Sequence, residues 1–464
     1  MSQTGRIVVA SNRVPTISVP KTEDERRAQS VGGLVSAVQA AMEKRGGLWF
    51  GWSGSSTGTP AAKPKLTQTG SIQLATIDLT PEALNLFYAV FANRTLWPLL
   101  HSFPERVVIR HDAFRAYQRV NRRYAEALYP LLEEGDLIWA QDYHLIPLGA
   151  ELRKLGWKGK LGFFLHTPFP PAEIFTILPW AKQLLEELLE YDLVGVHIHR
   201  YAQDLLDSMV AELGGKISGD VFTSGKSGVR VGVYPIGTDA EAFTKWGEEA
   251  EVELARAGKK TGEKHKLILA VDRLDYTKGI PERLLTFEHL LEHRPSLRGE
   301  VTMMHISAPS RTRVPEYAKE REMVDQLVGR INGRFSEKGW TPISYHYRSF
   351  NQRELALHYR EADVCLVTPL RDGMNLVAKE FVASQGAEHP GVLVLSRFCG
   401  AAETMKEAII VNPHDIEGTA GAIHQALTMT TKERRERWQA LYKDVSTNTA
   451  IAWSEGFLRD LAKR

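Results

Sequence analysis

Cysteine is scarce in this chain: Cys365 and Cys399 are the only two in 464 residues. Both stand in apolar surroundings and make no metal or redox spacing, so they are read as buried thiols. No apolar run approaches the roughly 20 residues that cross a bilayer. Met1 to Arg13 lacks the apolar core of a signal peptide, and without secretion the acceptor pattern Asn93-Arg94-Thr95 carries no meaning. Charge of one sign is missing too. The 58 basic and 56 acidic residues leave a formal charge of +2, which gives no general field to draw nucleic acid or acidic membranes. Attraction of phosphate must then be local. No repeat of solenoid period and no low-complexity tract occurs. These absences predict a cytoplasmic enzyme with neither nucleic acid nor membrane as partner.

What is present is length, and an alternation of short apolar runs with helical patterns. The 43% hydrophobic content suffices for two cores, and the length fits two domains of roughly 200 residues each. Strands are predicted at Arg6 to Ala10, Leu137 to Ala140, Leu161 to His166, Asp192 to Val196 and Val229 to Tyr234. The series restarts with Leu267 to Val271, Val301 to Ile306, Ile343 to Tyr347, Val364 to Val367 and Val392 to Leu395. Strands alternating with helices imply an α/β class with parallel, doubly wound sheets. The segment Trp246 to Lys266, dense in Glu, Lys, Ala and Gly, reads as the linker. Two Rossmann-like domains are expected to face one another across a cleft, with ligands beyond the carboxyl ends of the strands. The closing run Lys432 to Arg464 is helical, with Trp438, Leu441, Trp453, Phe457 and Leu461 as anchors.

The stretch Val364 to Glu380 carries the most chemistry. A strand without a polar face is followed by Arg371-Asp372-Gly373, and Asn375-Leu376-Val377 then opens a helix whose first amides can meet phosphate. Glu380 lies one to two turns in, where a carboxylate suits sugar hydroxyls better than phosphate. Together these features suggest a nucleotide-sugar site. In Val271 to Gly279 two loop-borne cations follow another strand: Arg273 offers a fork of donors and Lys278 a compact charge, a pair suited to a leaving diphosphate. Arg13, Asp142-Tyr143-His144 and His166-Thr167-Pro168 also sit at strand ends. Gly32-Gly33 opens the first helix, and Trp49, Trp52, Tyr88 and Trp97 are aromatic enough to stack on sugar rings, about half such residues being core. Two other motifs are set aside. His289-Leu290-Leu291-Glu292-His293 matches a zinc pattern, but Leu284, Leu285, Phe287 and Leu291 define the buried face, the histidines point away from it, and no third ligand is near. Ser224-Gly225-Lys226-Ser227 is a polar turn, because Gly219 is one residue too far for a phosphate loop.

Seven segments in family order carry a resemblance: Ser11-Asn12-Arg13, Gly32-Gly33-Leu34, Gly47 to Gly54, Asp142-Tyr143-His144, His166 to Pro170, Arg273 to Gly279 and Arg371 to Val377. They resemble the trehalose-6-phosphate synthases of glycosyltransferase family 20, over nearly the whole chain. The resemblance implies the GT-B fold, two Rossmann-like domains at about 1–240 and 241–445, with a last helix, about 446–464, crossing back to the first. It implies glucose transfer from a nucleotide sugar, commonly UDP-glucose, to glucose 6-phosphate, with retention of configuration and no metal or other cofactor.

The donor would be held by Gly32, Gly33, His166, Arg273, Lys278, Phe350, Asp372, Gly373, Met374, Asn375, Leu376, Val377 and Glu380, and the acceptor by Arg13, Trp52, Tyr88, Asp142 and Arg311. Asp142, His166, Arg273, Lys278 and Asp372 would carry the catalysis, and Arg13 and Arg311 would converge on the acceptor's phosphate. Leu100 to Pro104, Ile177 to Trp180 and His197 to Tyr201 look nearer to glucosylglycerol-phosphate synthase, which uses glycerol 3-phosphate, so that acceptor stays open. A non-catalytic sensor of sugar phosphates is the alternative of a different class. A homo-oligomer is admitted as a further partner.

Overall fold

Short runs of β-branched and apolar residues, covered on both faces, form the central strands of two sheets. The computed structural model describes residues 5–15, 38–39, 42, 46–256, 265–311 and 314–463. The first sheet contains β1 (Ile7–Arg13), β2 (Gly47–Ser56), β3 (Lys65–Thr69), β4 (Ile72–Leu79), β5 (Leu137–Gln141), β6 (Lys160–Phe164), β7 (Leu193–Val196), β8 (Lys216–Ser218), β9 (Val221–Ser224) and β10 (Ser227–Val233). Their order is β3-β4-β2-β1-β5-β6-β7-β10-β9-β8. From β4 to β10 every pairing is parallel, and antiparallel strands close the two edges. The second sheet contains β11 (Lys266–Arg273), β12 (Val301–Ala308), β13 (Ile343–His346), β14 (Val364–Val367), β15 (Val392–Ser396) and β16 (Ile409–Val411), in the wholly parallel order β13-β12-β11-β14-β15-β16. The strand order reverses between β1 and β5 and again between β11 and β14. Loops that leave a reversal in opposite directions open a crevice at the carboxyl ends of the strands.

All ten expected strands form, and the doubly wound architecture with them. Six others do not stand out in the sequence. β2 reads GLWFGWSGSS, where glycine and serine break the apolar run, and becomes a strand through its register with β1 and β4. The segment Trp246 to Lys266 is not a linker throughout. Ala240–Arg256 is a helix with Ala240, Phe243, Gly247, Ala250 and Leu254 buried. That stripe has helical spacing but little hydrophobicity, because three of its five members are Gly or Ala. A Cβ at Gly247 would lie 2.3 Å from the Ser384 carbonyl, so glycine permits the close approach. On the helix Ile280–His293 it is Leu290, rather than Leu285, that joins Leu284, Phe287 and Leu291 in the core.

The described chain forms two compact units. One runs to Pro235 and is completed by Trp453–Arg464; the other spans Ile236–Ala452. The closing helical run divides accordingly. Its first helix, Thr431–Thr447, belongs to the second unit, where the Trp438 indole donates to the Val382 carbonyl at 3.1 Å. The last helix, Ala450–Ala462, carries Trp453, Phe457 and Leu461 into the first unit's core. Phe457 stacks on Trp139 at 5.0 Å, and Trp453 lies 4.8 Å from the same ring. Glycine on the sheet makes room for this helix. A Cβ at Gly162 or at Gly195 would come within 2.8 Å of the Phe457 ring. Cys365 and Cys399 are both buried free thiols. No described helix is long and apolar enough to cross a membrane.

Phe457→Ala should therefore leave a cavity between sheet and helix that rigid strands cannot fill, costing about 3–5 kcal/mol. Urea unfolding followed by tryptophan fluorescence measures this; a loss below about 1 kcal/mol would show that the helix does not anchor the unit.

Candidate functional site

In the second unit the site is built where β11 and β14 part. Asp275 caps a single 3-10 turn, Tyr276–Lys278, its Oδ1 accepting from the Thr277 amide at 3.0 Å and the Thr277 hydroxyl at 2.9 Å. That turn delivers the Lys278 ammonium to Asp372, on the loop after β14, with Nζ donating to Oδ2 at 2.5 Å. Their side chains are 9% and 13% exposed. Each charge therefore depends on the other, since an unpaired charge at such depth would be costly. Behind them Arg283 joins both strand ends: Nη1 donates to Asp272 Oδ2 at 2.6 Å, Nε to Thr368 Oγ1 at 2.9 Å, and Nη2 to the Lys278 carbonyl at 3.2 Å. Burial raises the Asp272 carboxyl above its ordinary pKa, against the pull of Arg283 and Lys278.

Asp372 Oδ2 also accepts from Asn375 Nδ2 at 3.0 Å, while Asn375 Oδ1 accepts from the Val377 amide at 3.1 Å. The helix Leu376–Ser384 thus begins with one of its amides already capped, so the Val377 amide is not a free phosphate donor here. Met374 is fixed through its carbonyl, which accepts from the Ala401 amide at 3.1 Å and the Cys399 thiol at 2.7 Å. Gly373 lies so close to Gly400 that a Cβ on the latter would fall 1.9 Å from the Gly373 carbonyl. Leu376 and Val377 are partly buried in the first helical turn. Further along, Glu380 is buried and its Oε2 accepts from the Tyr359 hydroxyl at 3.0 Å. Burial pushes its pKa up to about 7, against the opposing effect of that bond. Phe350 is buried between the ring edges of His346 and His358, with the Arg348 guanidinium 4.3 Å from its centroid.

The two other cations of this unit that the sequence reading assigned to the site, Arg273 and Arg311, behave differently. Arg273 is exposed at the end of β11. Arg311 is side-chain buried and donates from Nη1 to Asp275 Oδ2 at 2.7 Å and to the Tyr317 hydroxyl at 2.5 Å, while Tyr317 donates to the same carboxylate at 3.1 Å. Burial would raise Asp275, but Arg311, then Arg273 and Lys278, outweigh it and hold the carboxyl at about 2.

In the first unit, Arg13 ends β1 with its guanidinium 5.6 Å from the Trp52 ring centroid. Gly54 leaves the space it fills, since a Cβ there would lie 2.7 Å from Nη2. Trp52 meets Tyr88 at 6.4 Å, and Tyr88 stacks on His144 at 5.9 Å. Asp142 turns sharply after β5, its amide donating to the Phe164 carbonyl at 2.7 Å and its Oδ1 accepting from the His166 amide at 3.2 Å. His166 Nε2 lies 2.8 Å from Gln141 Oε1. Burial, then the neighbouring His197, holds the His166 imidazole well below its ordinary pKa and therefore neutral.

Within the second unit the structure thus joins Lys278, Asp372 and Asn375 directly and ties Arg311 to the same loop through Asp275. Within the first it groups Arg13, Trp52 and Tyr88, and pairs Asp142 with His166. Gly32 and Gly33 lie outside the described residues. Trp49 and Trp97 are core, and the Trp49 indole donates to Ser11 Oγ at 2.8 Å. His289 and His293 stack on one another at 4.0 Å, and no group of three or more potential metal ligands occurs among the described residues. Of the four described non-glycine residues with positive φ, three are Asp142, Arg311 and Asn375, the fourth being Ser102. Such backbone strain persists where the surroundings over-determine it, as at binding sites. Asp272, Arg283, Thr368, Tyr317, Tyr359 and Gln141 escaped the sequence reading. Asp272 and Thr368, like Asp275, lie inside the stretches Val271 to Gly279 and Val364 to Glu380 without having been given a role there; the other four gave no local signal.

The profile of glycosyltransferase family 20 matches residues 5–463. A trehalose-6-phosphate synthase from Sinorhizobium fredii is 41% identical over 461 residues, which cover 98% of each chain. An alpha,alpha-trehalose-phosphate synthase (UDP-forming) from Burkholderia xenovorans, solved in complex with glucose-6-phosphate, superposes with a TM-score of 0.92 at 39% identity, over 99% of this chain and all of that one. An E. coli structure described as trehalose-6-phosphate bound with UDP-2-fluoro glucose gives 0.91 at 39% identity, over 99% of each chain.

The raised Glu380 has a consequence for stability. A folded pKa of about 7, above the ordinary 4.5, means that stability is fully present below the unfolded value and is lost as pH rises through the folded one, by an amount on the order of 3 kcal/mol. Glu380→Gln removes the titration and keeps the size. Urea unfolding at pH 5 and pH 8 should show wild type losing ground to the variant at the higher pH; parallel behaviour of the two would contradict a buried, titrating Glu380.

Proposed function

This chain belongs to glycosyltransferase family 20 and is a glycosyltransferase; from that premise we propose that it moves glucose from UDP-glucose to glucose 6-phosphate, forming trehalose 6-phosphate and UDP with retention at the anomeric carbon. The observation that carries this reading is the buried Lys278–Asp372 pair at the reversal of strand order in the second unit. It sets a cation for a leaving diphosphate beside a carboxylate for sugar hydroxyls. The names of the Burkholderia and E. coli relatives supply the substrate class.

In the proposed reaction the bond from the anomeric carbon to the diphosphate oxygen breaks, and a bond to the acceptor hydroxyl forms on the same face. The acceptor's proton passes to the departing diphosphate, whose charge Arg273 and Lys278 stabilise as it grows. Asp372, held by Lys278 and Asn375, orients the donor sugar, while Gly373, Met374, Leu376 and Val377 line its approach. Glu380 holds the ribose, and Phe350 adds an apolar donor contact. Neutral His166 can contact the sugar without adding charge at the reacting carbon, and Gly32 and Gly33 complete the donor set. Arg13, Trp52, Tyr88, Asp142 and Arg311 hold glucose 6-phosphate, with Asp275 and Tyr317 aiming the Arg311 guanidinium. The two diphosphate cations do the work that a metal does elsewhere, so the reaction is proposed to need none.

An activity matrix tests this: UDP-, GDP- and ADP-glucose against glucose 6-phosphate and glycerol 3-phosphate, with and without chelator. Turnover should be best with UDP-glucose and glucose 6-phosphate, survive chelation and give an α,α-linked product by NMR. A clear preference for glycerol 3-phosphate, or activity lost in chelator and restored by magnesium or manganese, would count against it.

Lys278→Ala should lower kcat about 100-fold or more, as losing one pre-set charge stabiliser ordinarily does, while the acceptor KM stays within a few-fold. An unchanged kcat with a raised acceptor KM would contradict the assigned role.

A further inference from the structure

The helix that carries Tyr88 is unusual. Leu84–Leu96 runs as a π-helix through 13 residues, far beyond the single turn in which that register ordinarily appears. A wide helix packs poorly along its axis and needs side-chain support to keep its register. Asn93 supplies it. This residue is 1% exposed, and its Nδ2 donates at 2.8 Å to the carbonyl of Tyr88, five residues back, the interval at which a π-helix closes its bonds. Its Oδ1 accepts at 3.2 Å from the hydroxyl of Tyr143, itself 1% exposed.

Tyr143 belongs to the turn that follows Asp142, and the backbone of that turn is already pinned from the helix His111–Leu128. The Tyr117 hydroxyl donates to the Tyr143 carbonyl at 2.7 Å, and Asn121 Nδ2 donates to the His144 carbonyl at 3.0 Å. The turn is therefore the fixed reference and the π-helix the element to be held. On that helix the Tyr88 ring meets both Trp52 and His144, and the Arg13 guanidinium lies 5.6 Å from the Trp52 ring centroid. A slip back to the narrower α register would rotate Tyr88 away from this stack.

We propose that Asn93, through its bridge from the Tyr88 carbonyl to the Tyr143 hydroxyl, is a positioning residue for the acceptor sugar phosphate, locking the π-helix so that Tyr88 and Asp142 keep a fixed spacing. The inference rests on the acceptor roles proposed above for those two residues. Asn93 itself touches no reacting atom. Its loss loosens one wall of the acceptor site and leaves the donor machinery of the second unit alone.

Asn93→Ala and Tyr143→Phe, each in the full-length protein, test the bridge from both ends. With UDP-glucose saturating, the KM for glucose 6-phosphate should rise about tenfold in each variant, while kcat and the KM for UDP-glucose stay within about twofold. Far-UV circular dichroism and the thermal midpoint are recorded alongside. A folded variant with an unchanged acceptor KM overturns the proposal, as does an equal fall in kcat with both acceptors and no change in either KM. If Asn93→Ala does not fold, Tyr143→Phe, which removes one oxygen, decides by the same criteria. The wild type is also assayed with glycerol 3-phosphate. A preference for it overturns the proposed reaction and not the bridge, which is then judged by the KM for that acceptor.

Discussion

The second unit depends on four charges held out of water where β11 and β14 diverge. Asp272 with Arg283, and Lys278 with Asp372, make two ion pairs, and the backbone carbonyl of Lys278 accepts from Arg283, so the pairs form one network. Burying such charges is unfavourable unless every one is met, and removing one partner would leave another stranded, at a cost of about 3–5 kcal/mol. The network therefore specifies geometry more than it adds stability. It places the Lys278 ammonium against the Asp372 carboxylate before any ligand arrives. Charges set in advance need no reorganisation when charge develops on a leaving group.

The first unit reaches its organisation by other means. Its sheet is covered by a helix from the far end of the chain, and Gly162 and Gly195 keep the strand surface flat where Phe457 lies. Trp453 then extends the same aromatic cluster to within 5.7 Å of His166. The packing that completes this core therefore also desolvates the imidazole and keeps it neutral. Core and site share side chains here, which couples the stability of the terminal helix to the electrostatics of His166.

Backbone strain is spent in few places. Asp142, Arg311 and Asn375 adopt positive φ, and each is over-determined by bonds on both sides: Asp142 through Phe164 and His166, Arg311 through Asp275 and Tyr317, Asn375 through Asp372 and Val377. A left-handed residue with a polar side chain points that side chain where a regular strand or helix cannot. Strain and hydrogen bonding together aim a few groups that propensity alone would leave disordered.

The amino-acid sequence alone determined the strand and helix alternation, the parallel cores of the two sheets and the loops that carry Lys278, Asp372, Asn375 and Asp142. These are local matters, read from apolar runs and from polar residues at their carboxyl ends. The family resemblance added Phe350 and Arg311, which no local pattern marks. The central place of β2 came only from tertiary structure, because its glycine-rich, aromatic sequence becomes a strand by register with two neighbours. The helical state of Ala240–Arg256 was hidden by a stripe of small residues whose burial depends on what packs against them. The partners Arg283, Tyr317, Tyr359, Gln141 and Asn93 lie far in sequence from some or all of the groups they hold, so no spacing rule reaches them. Which charges are paired, and which backbone turns are strained to pair them, is a property of through-space distance, and only the folded chain sets it.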